Sequence, residues 1–191
     1  MRGARQDFLS NHQKEHLAGE MSTEQAEFPP LVRSLTPRDL DRIMEIERAA
    51  YPYPWTRGIF EDCMRVGYDM RGVQLGSLLV GYSVLTHFAG ECHLLNLCVD
   101  PAWQRRRLGS VLLEQALRLA RKEHCSSMFL EVRPSNTAGI TLYKKRGFSV
   151  IGERPDYYRC DNGRENAIVM QLDLDHHGNS QVRTVPQHDP L

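Results

Sequence analysis

Three consecutive arginines stand where the hydrophobic pattern of the chain changes its period. The stretch WQRRRLGS (103–110) follows a largely apolar run, Glu91–Val99, that is typical of a strand. It leads into Leu108–Lys122, whose apolar residues recur at helical spacing and predict one buried helix face. Unpaired backbone amides and the helix dipole favour anions at such a helix N-terminus. The junction therefore predicts either a phosphate-binding loop or a solvated turn.

The elements around this junction predict an α+β fold with a mixed sheet. Turns at Gly76 and at Ala89-Gly90 separate three strand patterns, Tyr68–Leu75, Ser77–Phe88 and Glu91–Val99, and strands joined so tightly are antiparallel. The other predicted elements are a strand at Leu31–Leu35, helices after the caps Thr36 and Thr56, a strand at Ser127–Arg133, a helix at Asn136–Arg146, and a hairpin of Phe148–Glu153 with Asn166–Leu172 around Asn162-Gly163. The order is β-α-α-β-β-β-α-β-α-β-β.

A second polar constellation lies in FLEVRPSNTAGITLYKKRGF (129–148). Strand alternation places Glu131 on the face opposite the aliphatic residues, while Asn136 and Tyr143 share one helix face. A carboxylate and a phenol are suited to act as general base and general acid. The alternative is that Glu131 is a sheet-surface charge paired with Arg133 or another neighbour, and that Tyr143 packs in the core.

Composition narrows the classes of function. The chain has 24 basic and 24 acidic residues, which argues against nucleic-acid binding through its overall field. No apolar window is long enough to predict a membrane span, and the N-terminus lacks the apolar core of a secretory signal. The five cysteines form no CxxC pair and the eight histidines do not cluster, so we expect reduced thiols, a cytoplasmic protein and no metal.

The two ends of the chain are expected to lie outside the fold. Residues 1–30 are polar and aperiodic, which predicts a disordered extension, and Met21 is a candidate for the natural start. Residues 175–191 are also polar and predict a flexible tail. A single domain over 31–174 remains. We expect a monomer, with a weak dimer as the alternative.

Together the two segments resemble the GNAT family of N-acetyltransferases. Gln104–Gly109 is similar to the family's Gln/Arg-x-x-Gly-x-Gly/Ala loop, although Arg107 stands at its first glycine. If that position requires a positive φ, an arginine costs about 1–2 kcal/mol there. The second block is represented by Asn136, Gly139, Tyr143, Gly147 and Phe148. Within the family, the stretches YPYPW, NLCVDPAWQRRRLGSVLLEQAL and RPDYYRCDNGRENAIVMQL are most similar to the ribosomal-protein-alanine acetyltransferases, and the resemblance covers residues 31–173.

The resemblance implies a mostly antiparallel sheet, splayed between its fourth and fifth strands and flanked by about four helices. It implies acetyl-CoA as cosubstrate, no metal, and the N-terminal alanine of the eighteenth small-subunit ribosomal protein as acceptor. A protein α-amine suits this chemistry, because its pKa near 7.7–8.0 leaves far more of it uncharged than a lysine. Other protein N-termini, lysines or small amines remain alternatives, as does a non-catalytic acyl-CoA-binding module.

The resemblance also implies a role for each candidate site residue. The backbones of Leu97, Cys98 and Val99 would bond the pantetheine arm, as an added strand does. Glu131 would be the general base and Tyr143 would protonate the leaving thiolate. The remaining implied contacts are to the pyrophosphate from Arg105, Arg106, Arg107, Leu108, Gly109 and Ser110, to the cofactor near the thioester from Asn136, and to the acceptor from Trp55, Tyr157 and Tyr158.

Overall fold

A computed structural model describes residues 28–174 of the chain, and this range contains seven strands and four α-helices. The order of elements is the predicted one. The strands are β1 Leu31–Ser34, β2 Asp69–Leu75, β3 Leu78–Phe88, β4 Glu91–Val99, β5 Ser127–Val132, β6 Ser149–Cys160 and β7 Gly163–Asp173. The α-helices are α1 Leu40–Ala50, α2 Arg57–Arg65, α3 Leu108–Lys122 and α4 Thr137–Lys145, and two 3₁₀ turns lie at Pro37–Asp39 and Pro101–Trp103.

The strands form a mixed sheet in the hydrogen-bonded order β1-β2-β3-β4-β5-β7-β6. β1 with β2, β2 with β3, β5 with β7 and β6 with β7 pair antiparallel, whereas β4 and β5 run parallel. The parallel register joins Glu91–Leu94 to Ser127–Leu130, the first four residues of each strand. The expected mixed, mostly antiparallel sheet with four helices is confirmed.

The described residues divide into two compact units. The first comprises the residues up to Leu85 together with Leu95–Ala116, and the second comprises Thr86–Leu94 together with the residues from Leu117 onward. Within 28–174 no helix combines the length and the apolar character needed to cross a membrane. The expectations for residues 1–27, including a start at Met21, and for 175–191 lie outside the described residues.

In the first unit, a capped helix turn and two prolines decide where the helices begin. The Thr36 amide donates to Asp39 Oδ2 at 2.8 Å, so the 3₁₀ turn at Pro37–Asp39 leads directly into α1. Pro52 and Pro54 cannot continue α1, and α2 begins after Thr56. The buried faces of α1 and α2 belong to a core cluster of Leu40, Ile43, Met44, Ile46, Phe60, Cys63, Met70, Leu79, Tyr82, Val84 and Cys98.

A second cluster of the first unit anchors the start of α3. Its buried members come from β2, β3, β4, the 3₁₀ turn after β4 and α3, and they are Val73, Leu75, Val80, Val99, Trp103, Leu108 and Leu112. Because Trp103 and Leu108 are buried on either side of the arginines, the chain between them is held at both ends. The loop with the three arginines is therefore a short polar connection whose two ends are anchored in the core.

In the second unit, strand alternation gives β5 one buried face. Met128, Leu130 and Val132 are buried, whereas Glu131 is half-buried on the opposite face. α4 ends before Gly147, whose φ of 91° makes it the left-handed stop that was expected.

The predicted β6 is wrong in length. The pattern gave Phe148–Glu153, whereas the strand runs over Ser149–Cys160 and pairs with β7 as far as Cys160 and Gly163. β6 is an edge strand whose side chains are almost all exposed, so it has no hydrophobic alternation to reveal it. Its backbone bonds to β7, with irregular registers at Val150–Gly152 and Arg154–Tyr158, hold it in place.

Candidate active site

The backbone of β4 presents Leu97 and Val99 at one edge of the strand. The Asp100 amide donates to Val80 O of β3 at 2.9 Å, and backbone groups alternate in direction along a strand. Leu97 and Val99 therefore direct their amides and carbonyls away from β3. Their carbonyls accept from Tyr51 Oη at 3.3 Å and Gln104 Nε2 at 3.1 Å, respectively.

The backbone of Cys98 faces the opposite way, toward β3. Its carbonyl oxygen lies 2.8 Å from where a Cβ on Gly81 would stand, so only glycine allows the two strands to approach this closely. Of the three β4 residues expected to bond the pantetheine arm, Leu97 and Val99 thus present backbone groups at the edge away from β3. Cys98 contributes its buried thiol to the core, and burial raises the pKa of that thiol to about 12.

The arginine loop adopts a strained backbone. Arg105 and Arg107 have φ angles of 63° and 64°, in the left-handed region that disfavours side chains. Position 107 therefore does require a positive φ, and an arginine there instead of the family's glycine costs about 1–2 kcal/mol of stability. The carbonyl oxygen of Arg107 accepts from Val111 N at 3.1 Å, so Arg107 is the N-cap of α3, directly before its first residue Leu108.

This start leaves the first amides of α3 without helical acceptors. Leu108, Gly109 and Ser110 precede the first residue that can bond back within the helix, so their N–H groups point along its axis beside three exposed guanidiniums. Arg106 lies over the ring of the buried Trp103, with Cζ 4.7 Å from the ring centre. The segment is a cationic loop at a helix N-terminus, which suits a phosphate ligand.

In the second unit, Glu131 is paired with an arginine from a different strand. Its carboxylate accepts from Arg154 at 3.0 Å, and its side chain is 17% exposed, against 55% for Arg154. The neighbour considered from the sequence, Arg133, binds Glu165 at 2.5 Å instead. Arg133 and Glu131 are two residues apart on one strand face, yet each takes a partner from the β6–β7 hairpin.

Two tyrosines of β6 extend this charged cluster. Tyr157 and Tyr158 pack edge-to-face, with ring centres 4.9 Å apart. Arg154 lies over Tyr157 at 5.7 Å and Arg133 lies over Tyr158 at 4.3 Å. Burial raises the pKa of the Tyr158 hydroxyl above its ordinary value. The expected acceptor residue Tyr157 thus lies beside Arg154, the partner of Glu131, and Tyr158 packs against Tyr157.

Asn136 and Tyr143 lie at the start and near the end of α4. Asn136 is the N-cap, and its Oδ1 accepts from Gly139 N at 2.9 Å. A Cβ on Gly139 would stand 2.7 Å from Asn136 Nδ2, so the glycine makes room for the capping side chain. Tyr143 is buried, and its ring lies 5.8 Å from that of Phe148.

Sequence reasoning missed Glu47, a carboxylate that is only 1% exposed. It accepts from Trp55 N at 2.9 Å and from the hydroxyl of Tyr82 in the first unit, and Asn96 also bonds it. Burial raises its pKa above the ordinary value. A signal was available, because Glu47 follows Leu40, Ile43 and Met44 at the next position of one apolar helix stripe.

The sequence profile of the acetyltransferase (GNAT) family matches residues 40–148. This chain belongs to the GNAT family. It is 33% identical over 143 residues to the [ribosomal protein bS18]-alanine N-acetyltransferase of Escherichia coli K12, covering 75% of this chain and 97% of the relative. The expected GNAT acetyltransferase is confirmed, and its relatives include ribosomal-protein-alanine N-acetyltransferases.

Solved structures agree with this GNAT fold. The crystal structure of the ribosomal-protein-S18-alanine N-acetyltransferase from Escherichia coli has a TM-score of 0.73 and 32% identity, covering 80% of this chain and 98% of that one. An acetyltransferase from Salmonella typhimurium, solved with its cofactor acetyl-CoA, has a TM-score of 0.65 at 23% identity and covers 81% and 99%. In residues 28–174 of this GNAT protein, no three or more His, Cys, Asp or Glu are grouped to hold a metal ion.

Proposed function

We propose that this GNAT protein transfers the acetyl group of acetyl-CoA to the N-terminal alanine of ribosomal protein bS18. The observation that carries the proposal is the match to the Escherichia coli enzyme, which spans 97% of that enzyme. The relative named for this activity therefore aligns over almost its whole length. The two sequence segments that hold the candidate site both lie within residues 31–173.

The residues present fit acetyl-CoA, which carries an extended amide-containing arm and a pyrophosphate. Leu97 and Val99 offer backbone groups at one edge of β4, as a strand does when a peptide-like arm adds to it. Gly109 and Ser110 offer amides at the α3 N-terminus, and Arg105 to Arg107 add positive charge. We assign the arm to the first set and the pyrophosphate to the second.

For the transfer itself, we assign Glu131 as general base and Tyr143 as general acid. The amine nitrogen of the acceptor attacks the thioester carbonyl carbon, a C–N bond forms and the C–S bond breaks. Glu131 accepts the proton lost by the amine, directly or through water, and Tyr143 gives its proton to the departing thiolate sulfur. Asn136 is assigned to the cofactor near the thioester through its Nδ2, since its Oδ1 caps α4.

Three aromatic side chains are assigned to the acceptor peptide. Tyr157 is 43% exposed and stands beside Arg154, the partner of Glu131. Tyr158 packs against Tyr157, and Trp55 precedes α2 in the first unit. Trp55 and Tyr158 are partly buried, and partly or fully exposed aromatic rings supply the contact area by which a peptide terminus is held.

A thiol-release assay with acetyl-CoA and a panel of amines tests the proposal. We expect the highest kcat/KM for a basic peptide that starts with alanine, with the acetyl group found on its α-amine by tandem mass spectrometry. The same peptide with a blocked N-terminus leaves only lysines, and spermidine represents small amines. Equal or faster turnover with either would replace the proposed acceptor, and acetyl-CoA binding without any turnover would identify a binding module.

A further inference from the structure

Glu47 closes both ends of the YPYPW segment (51–55). Its backbone carbonyl accepts from Tyr51 N at 3.0 Å, and its side-chain Oε1 accepts from Trp55 N at 2.9 Å. Pro52 and Pro54 have no amide hydrogen, so the segment cannot fix itself through its own ladder of backbone bonds. A single residue of α1 therefore holds the segment where it leaves that helix and where it approaches α2.

The Trp55 side chain is tied to the same carboxylate by a second route. Its ring lies 5.4 Å from that of Phe60, and the Phe60 ring lies 5.5 Å from that of Tyr82 in an edge-on arrangement. The Tyr82 hydroxyl then donates to Glu47 Oε2. These contacts form a closed ring of four residues, in which Glu47 is the only carboxylate. The ring consists of Glu47, Trp55, Phe60 and Tyr82.

Burial makes this ring of contacts sensitive to the loss of the Glu47 carboxylate. Glu47, Phe60 and Tyr82 are all 1% exposed or less, so no solvent is at hand to replace a lost acceptor. A buried donor without a partner costs about 1–3 kcal/mol. If Glu47 is removed, the Trp55 amide and the Tyr82 hydroxyl both lose their acceptor, and the segment gains the freedom to move.

We propose that Glu47 is a positioning residue for acceptor binding, which acts by holding Trp55 in place. This inference rests on the proposed function, because Trp55 is assigned there to the acceptor peptide. Glu47 touches neither substrate in this account. Its carboxylate fixes the Trp55 backbone, and the Phe60–Tyr82 pair fixes the Trp55 ring.

Steady-state kinetics of Glu47→Ala and Glu47→Gln test the proposal. We expect Glu47→Ala to raise KM for the alanine-starting peptide about tenfold, the equivalent of one lost buried hydrogen bond, with kcat and the Kd for acetyl-CoA close to wild type. Glu47→Gln should restore KM, because its amide oxygen still accepts from Trp55 N and the Tyr82 hydroxyl can accept from its amide nitrogen. Glu45→Ala, an exposed carboxylate of the same helix, is the matched control. A fall in kcat with unchanged KM, or a Gln variant as impaired as Ala, would overturn it.

A spectroscopic readout separates this proposal from the proposed function. The chain has two tryptophans, Trp55 and Trp103, so 5-fluorotryptophan labelling gives two ¹⁹F resonances that Trp55→Phe assigns. Glu47→Ala should shift and broaden the Trp55 resonance and leave that of Trp103 in place. If Trp55 does not respond, the positioning role is wrong even in an active enzyme. If it responds in a protein without turnover, only the proposed function has failed. Should the alanine variant not fold, Glu47→Asp withdraws the carboxylate by one methylene and carries the same expectations.

Discussion

Two glutamates of this molecule, Glu47 and Glu131, have opposite surroundings. Glu47 is 1% exposed, and its partners among residues 28–174 are neutral groups, namely the Trp55 amide, the Tyr82 hydroxyl and Asn96. Glu131 is 17% exposed at its side chain and is paired with the guanidinium of Arg154. Neutral donors do not fully offset the loss of hydration that burial imposes on the charge of Glu47, whereas Glu131 has a cationic partner at the edge of solvent.

This difference in surroundings separates a structural role from a catalytic role. A general base must be reached by the amine, which suits the partly exposed Glu131 and excludes the buried Glu47. A buried anchor must be rigid and fully bonded, which suits Glu47. The same side chain therefore carries a structural role in the first unit and the proposed catalytic role in the second, and local packing decides which.

The largest expected effect comes from removing the charge of Glu131. Glu131→Gln keeps the shape and the bonding capacity toward Arg154 but cannot accept a proton, so turnover should fall roughly 10²- to 10⁴-fold while the Kd for acetyl-CoA stays unchanged. Thiol release and isothermal titration calorimetry measure the two quantities. Glu153→Gln is the control, since Glu153 is an exposed carboxylate of β6 that bonds Asn166. Wild-type turnover in Glu131→Gln would show that Glu131 is not the general base. The contrast between a catalytic and a structural glutamate would then no longer hold.

The matching substitution, Glu47→Gln, should change the free energy of unfolding by an amount that depends on pH. Burial raises the folded-state pKa of Glu47 above its unfolded value, so the stability that Glu47 contributes is present at low pH and declines as pH rises through the folded pKa. Glutamine does not titrate, so Glu47→Gln should become progressively more stable than wild type as pH increases. Each unit of pKa elevation corresponds to about 1.4 kcal/mol at neutral pH.

Urea unfolding of wild type and Glu47→Gln between pH 4 and pH 8 measures this difference. A stability difference at Glu47 that stays constant with pH would mean that the buried carboxylate does not titrate differently on folding. The contrast between the two glutamates would then rest on geometry alone.

The contrast also shows what the sequence could predict. The start and end of α3 at Leu108 and Lys122 were predicted as observed, because a strong apolar stripe and the preceding loop are local signals. The same holds for the left-handed stop at Gly147. Local pattern is enough when a helix buries one face and its ends are marked by their own residues.

Partners that come from distant strands could not be predicted. The alternative reading of Glu131 paired it with Arg133 or another neighbour, and its partner in the structure is Arg154, whose position depends on an irregular β6–β7 register. The length of β6 was missed because its exposed side chains follow no hydrophobic period. Glu47 was missed although its helix position placed it on the apolar face, since a charged residue is read as solvent-facing by default.

A smaller effect is expected where the backbone itself is strained. Arg107→Gly should relieve about 1–2 kcal/mol of left-handed strain, offset by about 0.5–1 kcal/mol of additional chain entropy, for a net gain in unfolding free energy of up to about 1.5 kcal/mol. Arg106→Gly, at a position without a positive φ, should lose stability under the same urea titration. If both variants lose stability, the side chain of Arg107 contributes more than its backbone strain removes.

The smallest effect is expected from the ion pair of Glu131. Arg154 is 55% exposed, and exposed ion pairs contribute about 0–1 kcal/mol, so Arg154→Gln should change the unfolding free energy by less than about 0.5 kcal/mol. Arg133→Gln is the matched comparison. Arg133 is 19% exposed, binds Glu165 and Arg159 O, and lies over Tyr158, so its loss should cost about 1–3 kcal/mol. Equal losses would mean that Arg154 is a structural residue like Arg133. A near-silent Arg154→Gln would show that the ion pair with Glu131 does not contribute to the framework of the second unit.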